Sequence, residues 1–388
     1  MANGLLYVAM FVEVDIDVVG KALDQNDLDQ EIALETLREL AMAVRRNHHV
    51  VFIPLLSVQL IGKLSNYLSN NEIVCFQYCF KKKRDLQVLG NSLVIKCVVS
   101  FGESTKKVGN IIYLNPKENV NFEFNEESHL LTENIMDSVF YGCVTKVFQK
   151  YKHLDCGVFR ARFFPVQGGG ATIKDVYLLE CKQREHFCLC IMDSDKKWPN
   201  CSEYGQTAQE FEKALNGWVK ENGEAIRCNY YIMQMASEIE NLIPLAVLKH
   251  FSSIQSSRFV TNHSNIFQWL DLKKGIEYKI LYNNEAYKEW KAALPNDIPW
   301  AQIDSIMHES GDEKDFKQKV KEANLPVVVA PWGGKLLEKV VYPDRRHSKK
   351  YNLFETKLDE LLPEQKTEWL TIGALIFSWC CCFSNKIV

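Results

Sequence analysis

The sequence predicts an α/β protein built on mostly parallel sheet. Two observations carry that prediction. Apolar stretches of strand length alternate with stretches of helical periodicity, and such alternation implies parallel strands joined by right-handed crossovers. The chain has 388 residues, 47% apolar and 24% charged. That composition is ordinary for a globular protein, and the length is too great for one compact core. Three regions are expected: an accessory α/β domain over residues 1–127, a central α/β domain over 128–255 and a mixed α+β extension over 256–388.

The elements follow in order. "GLLYVAMFVEVD" near the start alternates as a strand. Leu28 to Asn47 sets leucines at helical spacing and ends on a basic turn, which suits a helix C-terminus. "HHVVFIPLL", "SVQLIGKLSNYLSN" and "EIVCFQYCF" read as strand, helix and strand. "NIIYLNPKENVNFEF" reads as a hairpin turning at Asn115-Pro116. From Ser128 the chain gives a strand ("SHLLTE"), a helix ("NIMDSVFYGCVTKVFQKY"), a strand ("GVFRARFFPVQ") that runs into three glycines, and a short helix. A greasy strand ending in two aspartates follows ("FCLCIMDSD"), then a helix ("TAQEFEKALNGWVKEN"), a strand ("CNYYIMQM") and a segment that opens as a helix ("SEIENLIPLAVLKHF"). Residues 285–330 look helical and polar, and "LPVVVAPWGGKLLEKV" reads as strand, turn and helix.

Net charge is −3, so the surface as a whole does not attract polyanions; local basic patches or metal ions must hold any such partner. The basic runs are Lys81 to Arg84 and Asp344 to Tyr351. As phosphate contacts they would give affinity without sequence reading. The 13 cysteines include no C-x-x-C pair and no set with zinc spacing, and no secretory leader is evident, so a reducing cytoplasm is expected. The most apolar stretch, Trp369 to Phe383, is shorter than the ~20 residues that span a bilayer. It is expected as a buried helix or strand, with no membrane attachment.

Chemistry-bearing residues follow four consecutive strands. The first is followed by Glu133 and Asp137, the second by Gly168, Gly169 and Gly170, the third by Asp193 and Asp195, the fourth by Glu238 and Glu240. In parallel sheets ligands gather at the carboxyl ends of strands. Six carboxylates on one edge would raise one another's pKa. A hard cation removes that conflict: Mg²⁺ takes oxygen ligands, and two ions about 4 Å apart stabilise attacking and leaving oxygens of a phosphodiester. The glycines would let backbone N–H groups approach a phosphate. Singly, each piece has a plainer reading. Asp137 suits a helix N-terminus, and "SEIE" is a capping box with Ser237 as N-cap and Glu240 at the third helical position.

Taken together the four motifs resemble the TOPRIM domain, a Rossmann-like metal-binding fold of topoisomerases, DnaG-type primases and OLD-family nucleases. The "EIEN" form is more similar to OLD-like anti-phage effector nucleases than to topoisomerases. The resemblance covers roughly residues 129–280, with the TOPRIM domain itself at 128–255. It implies a nuclease using Mg²⁺ or Mn²⁺, in two ions, on DNA or RNA, tRNA included. It makes Glu133 a metal ligand and general base and Asp193 and Asp195 ligands to the ion that bridges the phosphate. Asp137, Glu238 and Glu240 complete the second ion's shell. Lys274, with Lys273 its close alternative, would contact the phosphate or leaving group. No Walker motif is present, so ATP control would come from a separate ATPase or sensor partner. Restraint by that partner or by assembly into a homo-oligomer is expected of a toxic effector of defence. Two rivals stand beside this reading: a TOPRIM nucleotidyl transferase or RNA-processing enzyme, and a non-catalytic partner-binding protein with a degenerate site.

Overall fold

The computed structural model describes residues 10–119, 123–154, 157–183, 186–198, 200–251, 259, 261–273, 275–325, 332, 334–343 and 351–384. The chain is a mixed α/β protein with mostly parallel sheet, in two compact units. Unit 1 comprises residues 1–191, 213–231 and 370–388, and unit 2 residues 192–212 and 232–369.

Unit 1 begins with β1 (Phe11–Val14), α1 (Ile16–Leu23), α2 (Gln30–Arg46), β2 (Val50–Phe52), α3 (Val58–Leu64), α4 (Asn70–Lys81), α5 (Lys83–Ser92), β3 (Lys96–Val99), β4 (Lys106–Val108) and β5 (Ile111–Leu114). The strands form one sheet in the order β2-β1-β3-β5-β4, parallel except where β4 meets β5. A buried parallel sheet needs near-continuous apolar strands. Phe11, Val12, Val50, Val51, Cys97 and Ile112 accordingly have almost no exposed surface.

Two expectations fail here. "EIVCFQYCF" is the helix α4 rather than a strand. Its buried residues Ile73, Phe76 and Cys79 recur every three positions, and Glu72 accepts a hydrogen bond from the Ser69 N–H at 2.6 Å. The S-x-x-E signature was thus in the sequence, and it outweighs the β-branched and aromatic content. The hairpin turns at Gly109-Asn110 between β4 and β5, with Gly109 at φ +59. Asn115-Pro116 instead opens a 3₁₀ turn, Pro116–Glu118, capped by Asn115. Glycine enters the left-handed region that a two-residue hairpin requires without penalty.

The second sheet of unit 1 holds β6 (His129–Thr132), β8 (Phe164–Gln167), β9 (Cys188–Met192) and β10 (Cys228–Ile232), in the order β10-β9-β6-β8. Strand β6 is parallel to both β8 and β9, His129 pairing with Phe164 and Cys188. Helices α6 (Ile135–Tyr151), α7 (Ile173–Gln183) and α8 (Gln206–Asn222) connect them. The expected single strand "GVFRARFFPVQ" is two. β7 (Phe159–Ala161) leaves the sheet to pair antiparallel with β11 (Cys381–Phe383), while β8 stays. Arg162 sits at the break; its guanidinium donates to the Arg46 carbonyl at 2.8 Å and pairs with Glu127.

Unit 2 contains α9 (Leu245–Leu248), α10 (Asn284–Ala293), α11 (Trp300–Glu309), α12 (Glu313–Glu322), α13 (Leu336–Val341) and the first turns of α14 (Pro363–Cys380). The strand expected within "LPVVVAP" and most of the basic run from Asp344 lie outside the described residues. The rest of α14 belongs to unit 1, and Gly373 is its contact point with α6: a Cβ there would lie 2.5 Å from Phe148 Cβ. Trp379, fully buried, meets Phe187 edge-on at 6.2 Å. The apolar tail is therefore a core helix followed by a core strand. Among the described residues no helix is long and apolar enough to cross a membrane.

Truncating Trp379 to Ala removes a large fully buried ring and leaves a cavity. The expected cost is about 3–5 kcal/mol, read as a lower urea midpoint at unchanged slope; a loss below 1 kcal/mol would mean that the tail does not support the core.

Candidate functional site

In unit 1, β6 ends at Thr132 and Glu133 follows, half-buried. The glycines after β8 continue the ladder. Gly168 N–H donates to the Thr132 carbonyl at 2.7 Å and Gly169 N–H to the Glu133 carbonyl at 3.0 Å. Those two N–H groups are therefore engaged with backbone, not presented to a phosphate. The glycines are nonetheless required. A Cβ on Gly168 would lie 2.5 Å from Ile173 Cγ1, and Gly169 and Gly170 have φ +73 and +59. Asp137 is a cap: its Oδ2 accepts from the Asn134 N–H at 2.8 Å, and Asn134 Oδ1 accepts from Met136 N–H at 3.1 Å. The plainer reading of Asp137 accounts for one carboxylate oxygen.

The other four carboxylates lie in unit 2. The segment after Met192 is stitched to the segment before Glu238. Ser194 and Asp195 both donate their N–H groups to the Ser237 carbonyl, at 3.0 and 2.9 Å. Ser194 Oγ donates to the Ala236 carbonyl at 2.7 Å. Asp193 Oδ1 accepts from Ile239 N–H at 3.0 Å. Asp195 adopts φ +50, a conformation that Asp tolerates better than most residues. Gly205 makes room for it, since a Cβ at 205 would overlap Asp195 Cβ.

Glu238 and Glu240 stand on either side of a short 3₁₀ turn, Ile239–Leu242. The N-cap is Glu238 rather than Ser237, and its partner at the third position is Asn241 rather than Glu240. Asn241 Oδ1 accepts from Glu238 N–H at 2.8 Å, while the Ser237 N–H is drawn off to the Gln268 carbonyl at 2.8 Å. Glu240 is thereby released from capping. Its carboxylate, with the residue 4% exposed, meets Lys273 Nζ at 3.2 Å, and Glu238 meets the same nitrogen at 3.4 Å. The Oε2 atoms of both glutamates are buried without a hydrogen bond, so Lys273 holds them as a charge rather than as an aligned donor.

Burial, reinforced by Asp271, Glu240 and Asp195, pushes the Glu238 carboxyl up to about 7, against the opposing pull of Lys273. For Lys273 burial acts downward, but Glu240, Glu238 and Asp193 outweigh it and raise the ammonium above its usual range. Lys273, the alternative to Lys274, is thus the lysine within the acidic group; Lys274 itself lies outside the described residues. Sequence reasoning did not single out Asn241, Gln365 or Glu368. These are fully buried polar groups that hold this segment in place.

The donor set consists of hard carboxylate oxygens, two of them buried without a donor, which fits Mg²⁺ or Mn²⁺ chemically. Among the described residues no three His, Cys, Asp or Glu side chains converge closely enough to hold a metal ion; Lys273 stands between two of the acids instead. Beside the group lies a cavity of about 330 Å³ lined by Asp195, Glu238, Asp271, Trp269 and residues of the α8 N-terminus. The other basic run is structural in part: Lys82 pairs with Asp85 at 3.3 Å where α4 meets α5. Comparison with family models, with curated proteins and with solved structures found no match to this chain.

In metal-free buffer the Glu238 carboxyl keeps its proton over a pH window, 4.5 to about 7, where the unfolded chain has lost it. Its stabilising contribution is full below that window and is lost as pH rises through about 7. Glu238→Gln should therefore gain stability relative to wild type between pH 5 and pH 8, by about 2–3 kcal/mol. Urea unfolding in EDTA measures this; a pH-independent difference would show that Glu238 is not so buried.

Proposed function

We propose that the chain is a divalent-metal-dependent nuclease of the TOPRIM, OLD-like type that hydrolyses phosphodiester bonds of DNA or RNA. The observation that carries the reading is the gathering of Asp193, Glu238 and Glu240 about the half-buried Lys273 ammonium, with Asp195 acting on Glu238. Clustered buried carboxylates are stabilised by cations or by protonation. Lys273 supplies one positive charge, and a divalent ion would supply two more. Asp193, Asp195, Glu238 and Glu240 would hold that ion, and it would supply Lewis-acid stabilisation of a phosphoryl oxygen.

The chain's own groups have separate tasks. Lys273, kept protonated by its neighbours, offers positive charge to the leaving oxygen. Glu133, following β6, is the base that the TOPRIM resemblance assigns to the attacking water. Control by a separate ATPase or sensor, or by homo-oligomeric assembly, belongs to the same proposal.

Cleavage of plasmid DNA and of total tRNA in Mg²⁺, Mn²⁺ or EDTA tests the reading, with wild type beside Glu133→Ala and Asp193→Ala. Metal-dependent cutting is expected, falling about 100-fold or more in each variant. Cutting that persists in EDTA or in Asp193→Ala would remove the assignment.

One observation favours a second reading, a partner-binding protein without catalysis. The Lys273 ion pairs are also how a metal-free site would keep its acids stable. Thermal unfolding with added Mn²⁺ separates the two. A nuclease should be stabilised by the ion, and Lys273→Met, which removes the competing charge, by more than wild type. The absence of a shift in both proteins would favour the non-catalytic reading, since the nuclease reading requires the ion whether or not a partner controls cutting.

A further inference from the structure

We infer that the cavity beside Asp195 and Glu238 seats one unpaired nucleotide of the substrate strand, its base against Trp269 and its phosphate toward Lys197 and the first turn of α8. The inference rests on the nuclease reading and adds to it the form of the substrate, a single strand or an extruded nucleotide. Size comes first. About 330 Å³ lies at the small end of ligand pockets, room for a nucleotide and too little for a duplex.

The lining divides by chemistry. Asp195 and Glu238 supply the acids that the proposed ion would use. Gln206 and Thr207, also in the lining, open the 17-residue helix α8. N–H groups in a first helical turn have no carbonyl within the helix to donate to, and the dipole there favours a phosphate. Gly205 N–H donates to the Ser194 carbonyl at 2.8 Å, and Gly205 is packed on Asp195 Cβ. The helix start and the acidic loop are therefore adjoining parts of one wall, where one phosphate could face both.

Lys196 and Lys197 add positive charge to this wall. Their backbone is fixed from behind: the Trp290 indole N–H, on a ring 1% exposed, donates to the Lys197 carbonyl at 3.1 Å. Trp269, only half-buried, lines the same cavity. An accessible indole in the same cavity as cations is what a stacked base and its phosphate require, and stacking of that kind tolerates any base.

The test titrates the full-length protein in Mg²⁺ with 5′-AMP, GMP, CMP and UMP and with their deoxy counterparts, by calorimetry and by tryptophan fluorescence. Binding of at least one series is expected, the ribo and deoxyribo arms telling an RNA site from a DNA site. Trp269→Ala and the surface variant Lys197→Ala should each weaken it about tenfold or more, and Trp269→Phe should restore most of it. Failure of all eight nucleotides to bind, or wild-type affinity in Lys197→Ala and Trp269→Ala, overturns the inference. The two proposals fail differently. Metal-dependent cutting with an unchanged KM in Trp269→Ala would discard the nucleotide pocket and keep the nuclease. Nucleotide binding through Trp269 without any cutting would keep the pocket and discard the nuclease.

Discussion

The acidic segment of unit 2 depends on one buried side chain, Asn241. Its amide is fully enclosed and every polar group on it is used. Nδ2 donates to the carbonyls of Phe267 and Leu270, both at 2.8 Å, and Oδ1 accepts from Glu238 N–H. The Asn241 carbonyl accepts from Gln365 Nε2 at 2.7 Å. A buried amide left half-satisfied would cost a large fraction of a domain's stability. Here its full satisfaction ties two other stretches of chain, residues 267–270 and Gln365, to the two glutamates. Glu368 does the same for the preceding residues, accepting from the N–H groups of Gln234 and Met235, and the Trp369 indole N–H closes onto the Leu242 carbonyl at 2.9 Å. These polar groups hold in position carboxylates that would otherwise repel.

That rigidity gives the charge balance its meaning. Glu240 is nearly inaccessible and Glu238 close to it, so neither can relax into water. Burial penalises each ionised carboxylate, and Lys273 returns part of that cost through two ion pairs. Both groups are raised by this geometry, for different reasons: the acid by burial and like charge, the base by its acidic neighbours against the pull of burial. A pair poised in this way is common at functional sites and also occurs in purely structural networks. The distinction turns on whether a divalent cation competes for the glutamates.

Several features were legible in the sequence for a physical reason that holds locally. Leu28 to Asn47 reads as a helix because its apolar spacing is helical over five turns, and α2 occupies nearly the same span. The greasy run ending in Met192 reads as a strand because both faces are buried, as β9 is. The carboxylates after it were legible as a group because they follow consecutive strands. Less visible was the competition between caps. "SEIE" satisfies one capping pattern, but Asn241 offers Glu238 N–H a better-placed acceptor because its own amide is pinned by Phe267 and Leu270. α4 was hidden by residues that suit a strand as well as a helix, although Ser69 and Glu72 marked its start.

By itself, then, the amino-acid order determined the alternation of strands and helices, the buried character of the tail, and which acids and glycines follow which strands. Those properties depend on periodicity and on neighbours a few residues apart. The tertiary structure alone decided that the Gly168 and Gly169 N–H groups close a strand ladder and that Lys273 lies at the acids. It also decided that Trp269 and the start of α8 share a cavity with Asp195. Each of these depends on which donor meets which acceptor across long stretches of chain. Burial there makes an unmatched charge or N–H costly, and local sequence carries no record of that burial.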